Sequence, residues 1–332
     1  MRYALAQSTV GRWSSPELIL FITEFFEGPK PILHAIYQAK LTGAKVLHVH
    51  VIPSQLQATA NNGFRRDMLR SEPGTVRAKM EQMVSEFQRE GILCESVVLH
   101  GVSQEQIPAL VKSRGVDRVI VGTRIETGGS RFLDESLAED LMASLEVPVF
   151  TIGPHAHACA ADGARPRIVL LATSFHPGSS VCTGFASTFA ELHDAQLTML
   201  HVLDSGGMSE QQKERARVAA RQKLSAYIPN EARLARQPII TIREGDPATK
   251  ILEESGTLPN DLIVLGSPSS SMVSRILAGS VVHHVVTEAR CPVVTIRPTA
   301  LTVRDVIRES FDLEHRSRLF EFSARHALTA NY

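Results

Sequence analysis

The stretch Asp117–Pro154, DRVIVGTRIETGGSRFLDESLAEDLMASLEVPVFTIGP, lies without a gap over Asp261–Pro298, DLIVLGSPSSSMVSRILAGSVVHHVVTEARCPVVTIRP. Gly122 falls on Gly266, Ser130-Arg131 on Ser274-Arg275, Ser136 on Ser280, and Pro148-Val149 on Pro292-Val293, each pair 144 residues apart (266 − 122, 292 − 148). The register runs upstream to Gly101 and Gly245. A repeat of this period is a whole domain, too long for a solenoid unit. The chain of 332 residues therefore divides into two copies of one fold.

Within each copy, short β-branched apolar runs alternate with longer amphipathic stretches, the pattern of βαβ units on a parallel sheet. The second copy has runs at Ile168–Thr173, Leu197–Val202, Ile239–Ile242, Leu262–Gly266 and Val293–Ile296. Helical segments over Ser179–His193, Ser209–Tyr227, Ala248–Glu254 and Ser280–Ala289 separate them. The first copy repeats the order with Leu18–Thr23, Val46–Val51, Ser96–Leu99, Val119–Gly122 and Val149–Ile152. Strands apolar along their whole length expect helices on both sheet faces. The fold class is α/β, with two tandem open five-stranded parallel domains related by a pseudo-twofold.

The domains are expected at 1–154 and 167–298, with a linker at 155–166 and an extension at 299–332. The linker region, Gly153–Pro166, is small, polar and bounded by proline. Its His155, His157 and Cys159 have metal-ligand chemistry but no fourth ligand nearby, and read as incidental linker polarity. His283-His284 read as solvated helix residues. The first sixteen residues carry one short apolar patch, Tyr3–Ala6, suited to adding a strand or covering an edge. In the extension Val303, Ile307 and Phe311 recur at spacing four, followed by Leu319, Phe320 and Phe322. That pattern suits a helix packed on its own domains or docked on a protein partner.

Lys+Arg and Asp+Glu balance at 35 each, and there are one Trp and four Tyr, so neither a basic field nor a stacking platform points to nucleic acid. No apolar run approaches the ~18 residues of a membrane span. The dispersed cysteines Cys94, Cys159, Cys182 and Cys291 contain no CxxC. They suit free thiols in a reducing compartment, and the expected location is the cytoplasm.

The candidate chemistry sits after the fourth strand of the second copy, IVLGSPSSSMVSRILAGSVV. In a parallel α/β sheet, ligands bind at the carboxyl ends of strands, where turns present backbone N–H groups. Gly266 closes the strand, small residues follow, and Gly279-Ser280 opens a helix, an arrangement suited to a phosphate and equally to a plain capped turn. The loop resembles the G-x2-G-x9-G-[ST] signature of the universal stress protein family, as Gly266-x2-Ser269-x9-Gly279-Ser280 followed by Cys291-Pro292-Val293. GDPA at Gly245–Ala248, the HV pairs His201-Val202 and His50-Val51, and Ala172-Thr173-Ser174-Phe175 add to the resemblance, which covers about Leu18 to Pro298.

The resemblance implies an adenine-nucleotide alpha hydrolase-like fold whose members either bind ATP or do not. It also implies fifth-strand pairing, which here places Val149–Ile152 against Val293–Ile296 in an internal pseudo-dimer and leaves a homodimer open. In nucleotide-binding members, the base and ribose meet the first-strand acid and the second-strand valine, and phosphates meet the glycine loop. On this sequence those positions are Thr173, Ser174, Val202, Leu265, Gly266, Ser269, Gly279, Ser280 and Val281. Ser174 stands in place of the acid and Ser269 in place of the middle glycine. The first copy departs further, with Glu24 for the acid, Ile125 for the middle glycine and Glu135 for the glycine at the helix start. The expected cofactor is ATP or another adenine nucleotide, bound in the second copy only, with no metal beyond magnesium carried by the nucleotide. The expected role is a small-molecule or partner-binding module that is not an enzyme. The alternatives are a slow ATP hydrolase or nucleotidyl-transfer enzyme, and an interaction scaffold without nucleotide.

Overall fold

The structure, a computed structural model, describes residues 13–23, 29–52, 73–123, 134–159, 165–176, 179–228, 232–256, 258, 261–267 and 281–297. The first half contains β1 (Leu18–Ile22), α1 (Lys30–Thr42), β2 (Lys45–Ile52), α2 (Pro73–Arg89), β3 (Cys94–His100), α3 (Ser103–Arg114), β4 (Arg118–Gly122), α4 (Asp134–Ser144) and β5 (Val149–Ile152). The second repeats it with β6 (Ile168–Ala172), α5 (Ser179–His193), β7 (Gln196–Leu203), α6 (Glu210–Tyr227), β8 (Ile239–Glu244), α7 (Pro247–Glu254), β9 (Leu262–Gly266), α8 (residues 281–288) and β10 (Val293–Ile296).

The strands form one ten-stranded sheet in the order β3-β2-β1-β4-β5-β10-β9-β6-β7-β8. Pairing is parallel inside each half and antiparallel only where β5 meets β10. The expected fifth-strand contact is therefore present, and it fuses two sheets into one. Its register is symmetric: Phe150 faces Val294, its own counterpart (294 − 150 = 144), while Val293 faces Thr151 and Thr295 faces Val149. Contacts that exchange under the repeat define an isologous junction on a twofold axis. Close by, His283 Nδ1 lies 3.1 Å from Glu139 Oε1, again 144 residues apart. His283 is thus a junction residue, which its reading as a merely solvated helix position did not foresee.

Period-two alternation splits each strand between two cores. Ile19 and Phe21 enter the core on one face, with Val169, Leu171, Val294 and Ile296. Leu20 and Ile22 enter the other, with Leu170, Ile263, Leu265 and Val293. Both cores draw on both halves, so burial of apolar area binds the halves to each other as well as within themselves.

Repeated residues do repeated work. The Asp117 carboxylate accepts from the backbone N–H groups of Glu17 and Leu18 at 3.0 and 3.2 Å, and Asp261 accepts from Arg167 and Ile168 at 3.1 and 3.0 Å. Each ties the end of one loop to the start of the neighbouring strand. Gly101 and Gly245 share a backbone that side chains rarely adopt, with φ of 124° and 119°. The GDPA stretch is a helix start. Asp246 Oδ2 accepts from the Thr249 N–H at 2.8 Å, Pro247 takes the first helical position and Ala248 is buried.

The repeat is broken at Arg118, whose counterpart is Leu262 (262 − 144 = 118). Arg118 is wholly buried and donates to the Gln38 side-chain oxygen and, at 2.7 Å, to the Trp13 carbonyl. Its guanidinium carbon stands 4.3 Å from the Phe150 ring centre and 5.7 Å from that of Phe189, an aromatic enclosure drawn from both halves. Burial pushes its pKa down to about 9, with Asp117 opposing. Trp13 is thus part of the core, while Tyr3–Ala6 and the extension with Val303, Ile307 and Phe311 lie outside the described residues.

Candidate functional site

The carboxyl ends of β6, β7 and β9 come together because Ala172 pairs with both Leu200 and Leu265. This register brings Thr173, Ser174, Val202, Leu265 and Gly266 to one edge of the sheet. Leu265 is buried beneath it, Thr173 and Val202 are half-buried, and Ser174 and Gly266 are exposed. Val281 is half-buried on α8. Ser269, Gly279 and Ser280 lie outside the described residues.

The turn after β6 is held from three sides. His201 Nδ1 donates to the Thr173 carbonyl at 2.8 Å, so the carbonyl fixes the imidazole tautomer. Burial lowers the pKa of His201, the bond to Thr173 opposes, and Lys223 lowers it further. Thr173 Oγ1 bonds Ser179 Oγ at 2.9 Å and accepts from the Phe175 N–H at 3.2 Å. The result is a tight turn with Phe175 at φ 62°, a left-handed backbone that costs a bulky residue on the order of 1–2 kcal/mol. Its ring lies 4.2 Å from the His201 ring, 6.0 Å from Tyr227 and 4.5 Å from Lys223 Nζ, contacts that hold the strained turn. The sequence carries Phe175 and His201 only as pattern letters. Neither the positive φ nor the partnership with Ser179 and Lys223 leaves a mark in the order of residues.

Among the described residues, Gly266 leaves room for a side chain. A Cβ placed there meets Cys182 Sγ at 3.6 Å, an ordinary contact, so internal packing does not require glycine. The following residue is spent on the junction. Ser267 Oγ donates to the Met142 carbonyl at 2.7 Å, and Arg297 Nη1 donates to the Ser144 carbonyl at 2.9 Å. The loop therefore leaves β9 anchored to α4 of the other half.

The same edge of the first half has the same wiring but is closed. His50 Nδ1 donates to the Thr23 carbonyl at 2.9 Å, as His201 does to Thr173. Thr23, His50, Val51, Gly122 and Thr123 are all buried, whereas Thr173, His201, Val202, Gly266 and Ser267 are half-buried or exposed. Glu24 and Ile125 lie outside the described residues, and Glu135 falls in the first turn of α4. Among the described residues no group of three or more His, Cys, Asp or Glu could hold a metal ion, and no helix is long and apolar enough to cross a membrane.

With two copies of one α/β framework joined through their fifth strands, the relatives fall into place. The universal stress protein family model matches residues 19–153 and again 166–297. The chain belongs to that family. A universal stress protein of Mycolicibacterium smegmatis is 25% identical over 287 residues, which cover 82% of this chain and 94% of the relative. A universal stress protein from Archaeoglobus fulgidus has the same fold, with a TM-score of 0.60 at 18% identity over 85% of this chain and 97% of that one. A functionally unknown protein from Pseudomonas aeruginosa aligns at a TM-score of 0.57 and 15% identity, over 90% and 99% of the two chains. This universal stress protein is thus a tandem form, its pseudo-dimer closed inside one chain.

Proposed function

We propose that the chain is a stress-response binding module whose second half takes an adenine nucleotide, while its first half serves as a structural partner. The domain division that goes with this reading is 1–154, 155–166, 167–298 and 299–332. The observation that carries it is the contrast between the two carboxyl edges, open at Thr173, Val202 and Gly266 and buried at Thr23, Val51 and Gly122. The base and ribose are assigned to Thr173, Ser174 and Val202, and the phosphates to Gly266, Ser269, Gly279 and Ser280, flanked by Leu265 and Val281. The room that the described residues leave at Gly266 supports a close approach by an anion. Magnesium would arrive with the nucleotide. Ser174 offers no carboxylate to the ribose, which forfeits a charge-assisted bond of about 1.5–3 kcal/mol, or ten- to a hundredfold in affinity. The module is therefore a weak binder with no assigned turnover. No location or outside partner is assigned to it.

Calorimetry with ATP tests the assignment. Gly279→Glu copies Glu135 into the second half and is expected to weaken binding at least about tenfold, since a carboxylate there repels phosphate. Melting should shift by only a few degrees. Ser174→Asp combined with Ser269→Gly should tighten binding by roughly tenfold. Unchanged affinity in Gly279→Glu overturns the site, and no binding by either protein leaves the scaffold reading. Hydrolysis that tracks Gly279 would instead establish the enzyme.

A further inference from the structure

None of the four cysteines forms a disulfide. Burial pushes the thiols of Cys94, Cys182 and Cys291 up to about 12, the range of inert structural cysteines. Cys159 sits in a different setting, on the segment that leaves β5. It is 3% exposed, in a segment where His155, His157 and Ala158 are exposed. Its Sγ stands 2.9 Å from His34 Nδ1 on α1. The other nitrogen of that ring, Nε2, lies 2.8 Å from the His157 carbonyl oxygen, which can only accept. Nε2 therefore carries the ring hydrogen, and Nδ1 offers its lone pair to the thiol proton. Burial, opposed by the His157 bond and aided by Lys30, brings His34 down to about 4, so the ring is neutral and Nδ1 keeps its lone pair toward the thiol. Lys30 Nζ donates to the Pro154 carbonyl at 2.8 Å and adds a positive charge beside the pair.

We propose that Cys159 is the reactive thiol of this protein, oxidised by hydroperoxides with His34 as its base. The thiol proton passes to His34 Nδ1 as the sulfur attacks the distal oxygen of the peroxide. The O–O bond breaks as the S–O bond forms, and the leaving oxygen takes up the proton, as water when the oxidant is hydrogen peroxide. Sulfur is oxidised by two electrons to the sulfenic acid and the peroxide is reduced by two. The product has a larger group at a buried position and has lost the S–H donor. It strikes a segment bonded to both halves, through His34 and Lys30 on one side and the His157 N–H to the Arg290 carbonyl, 2.9 Å, on the other. Oxidation of Cys159 therefore acts on the joint between the halves.

The test treats the reduced full chain with graded hydrogen peroxide, traps sulfenic acid with dimedone and maps all four cysteines by mass spectrometry. Cys182 and Cys291 are the buried controls and Cys94 the more accessible one. Cys159 should be trapped at least about tenfold faster than each, the scale of a positioned base. His34→Gln should remove most of that advantage while the other three rates stay fixed. Labelling of Cys159 no faster than Cys94 overturns the proposal. A preserved rate in a folded His34→Gln variant overturns it too, because access and not the base would then control reactivity. Should that variant unfold, shown by four equal rates, the ranking in the unaltered protein decides alone.

Discussion

Position 118 in the first half and position 262 in the second occupy the same place at the start of the fourth strand, yet one holds a buried guanidinium and the other a leucine. The second half fills the site with apolar volume. The first fills it with a cation whose two terminal nitrogens donate to Gln38 and Trp13 and whose face is covered by Phe150 and by Phe189 of the other half. The contrast teaches that the backbone at this position tolerates either solution, and that the surroundings decide which is stable. A buried charge persists only where its neighbours were built to receive it.

The largest effect should come from forcing that contrast the wrong way. Leu262→Arg places a cation where no such receptors stand and is expected to cost about 4 kcal/mol or more, seen as loss of cooperative thermal unfolding. The reverse change, Arg118→Leu, leaves the Trp13 carbonyl and Gln38 without their donor, at about 1–3 kcal/mol. Trp13 is the chain's single tryptophan and is 3% exposed, so its emission should shift to the red in Arg118→Leu. A native-like emission maximum would mean that Arg118 does not hold the opening segment.

A second contrast lies two strands over, where His48 of β2 corresponds to Met199 of β7, facing Phe21 and Leu171 respectively. Burial, with a further push from His50, lowers His48 to about 4. A histidine with a depressed folded pKa binds its proton more readily in the unfolded chain. Its contribution is whole above about pH 6.5 and is lost as pH falls toward 4. His48→Met copies the second half and should flatten the fall in stability between pH 7 and pH 4.5 by up to about 3 kcal/mol. Denaturant melts at the two pH values measure it, and an unchanged slope would assign the acid sensitivity elsewhere, with His34 and His193, both also near 4, the next groups to change.

The smallest contrast is at the third helix of each half. Asp246 caps α7 through Thr249, whereas Val102 begins α3 without a side-chain cap. Val102→Asp should raise stability by about 1 kcal/mol and Asp246→Ala lower it by about as much. Equal melting temperatures for all three proteins would show that these helix starts are held by packing instead.

Much of this was legible in the residue order, because a repeat lets the chain be read against itself. The strand sequence follows from periodicity and the doubled motif, while the β5–β10 contact and the candidate edge at Thr173, Val202 and Gly266 come from the family resemblance that those motifs carry. Other features could not be read, for identifiable reasons. Arg118 follows Asp117 at a strand start, where charge ordinarily meets water, and residues distant in sequence, Trp13, Gln38, Phe150 and the second half's Phe189, make it interior. Cys159 and His34 are 125 residues apart, so their contact is a product of the fold. At Phe175 the side chain argues against the backbone it adopts, since nothing in a phenylalanine predicts φ of 62°.

The bond between His283 and Glu139 has a consequence for self-recognition. Two identical chains meeting on a twofold axis must set each axial residue against itself, imidazole against imidazole or carboxylate against carboxylate. A fused chain is released from that rule and can put different residues on the two sides. Here the choice also discriminates among partners. Two first halves docking with each other would oppose Glu139 to Glu139, and two second halves would oppose His283 to His283, so only the mixed pairing gains an attraction. The fusion thus supplies both the tether that brings unlike halves together and a chemical reason for like halves to stay apart.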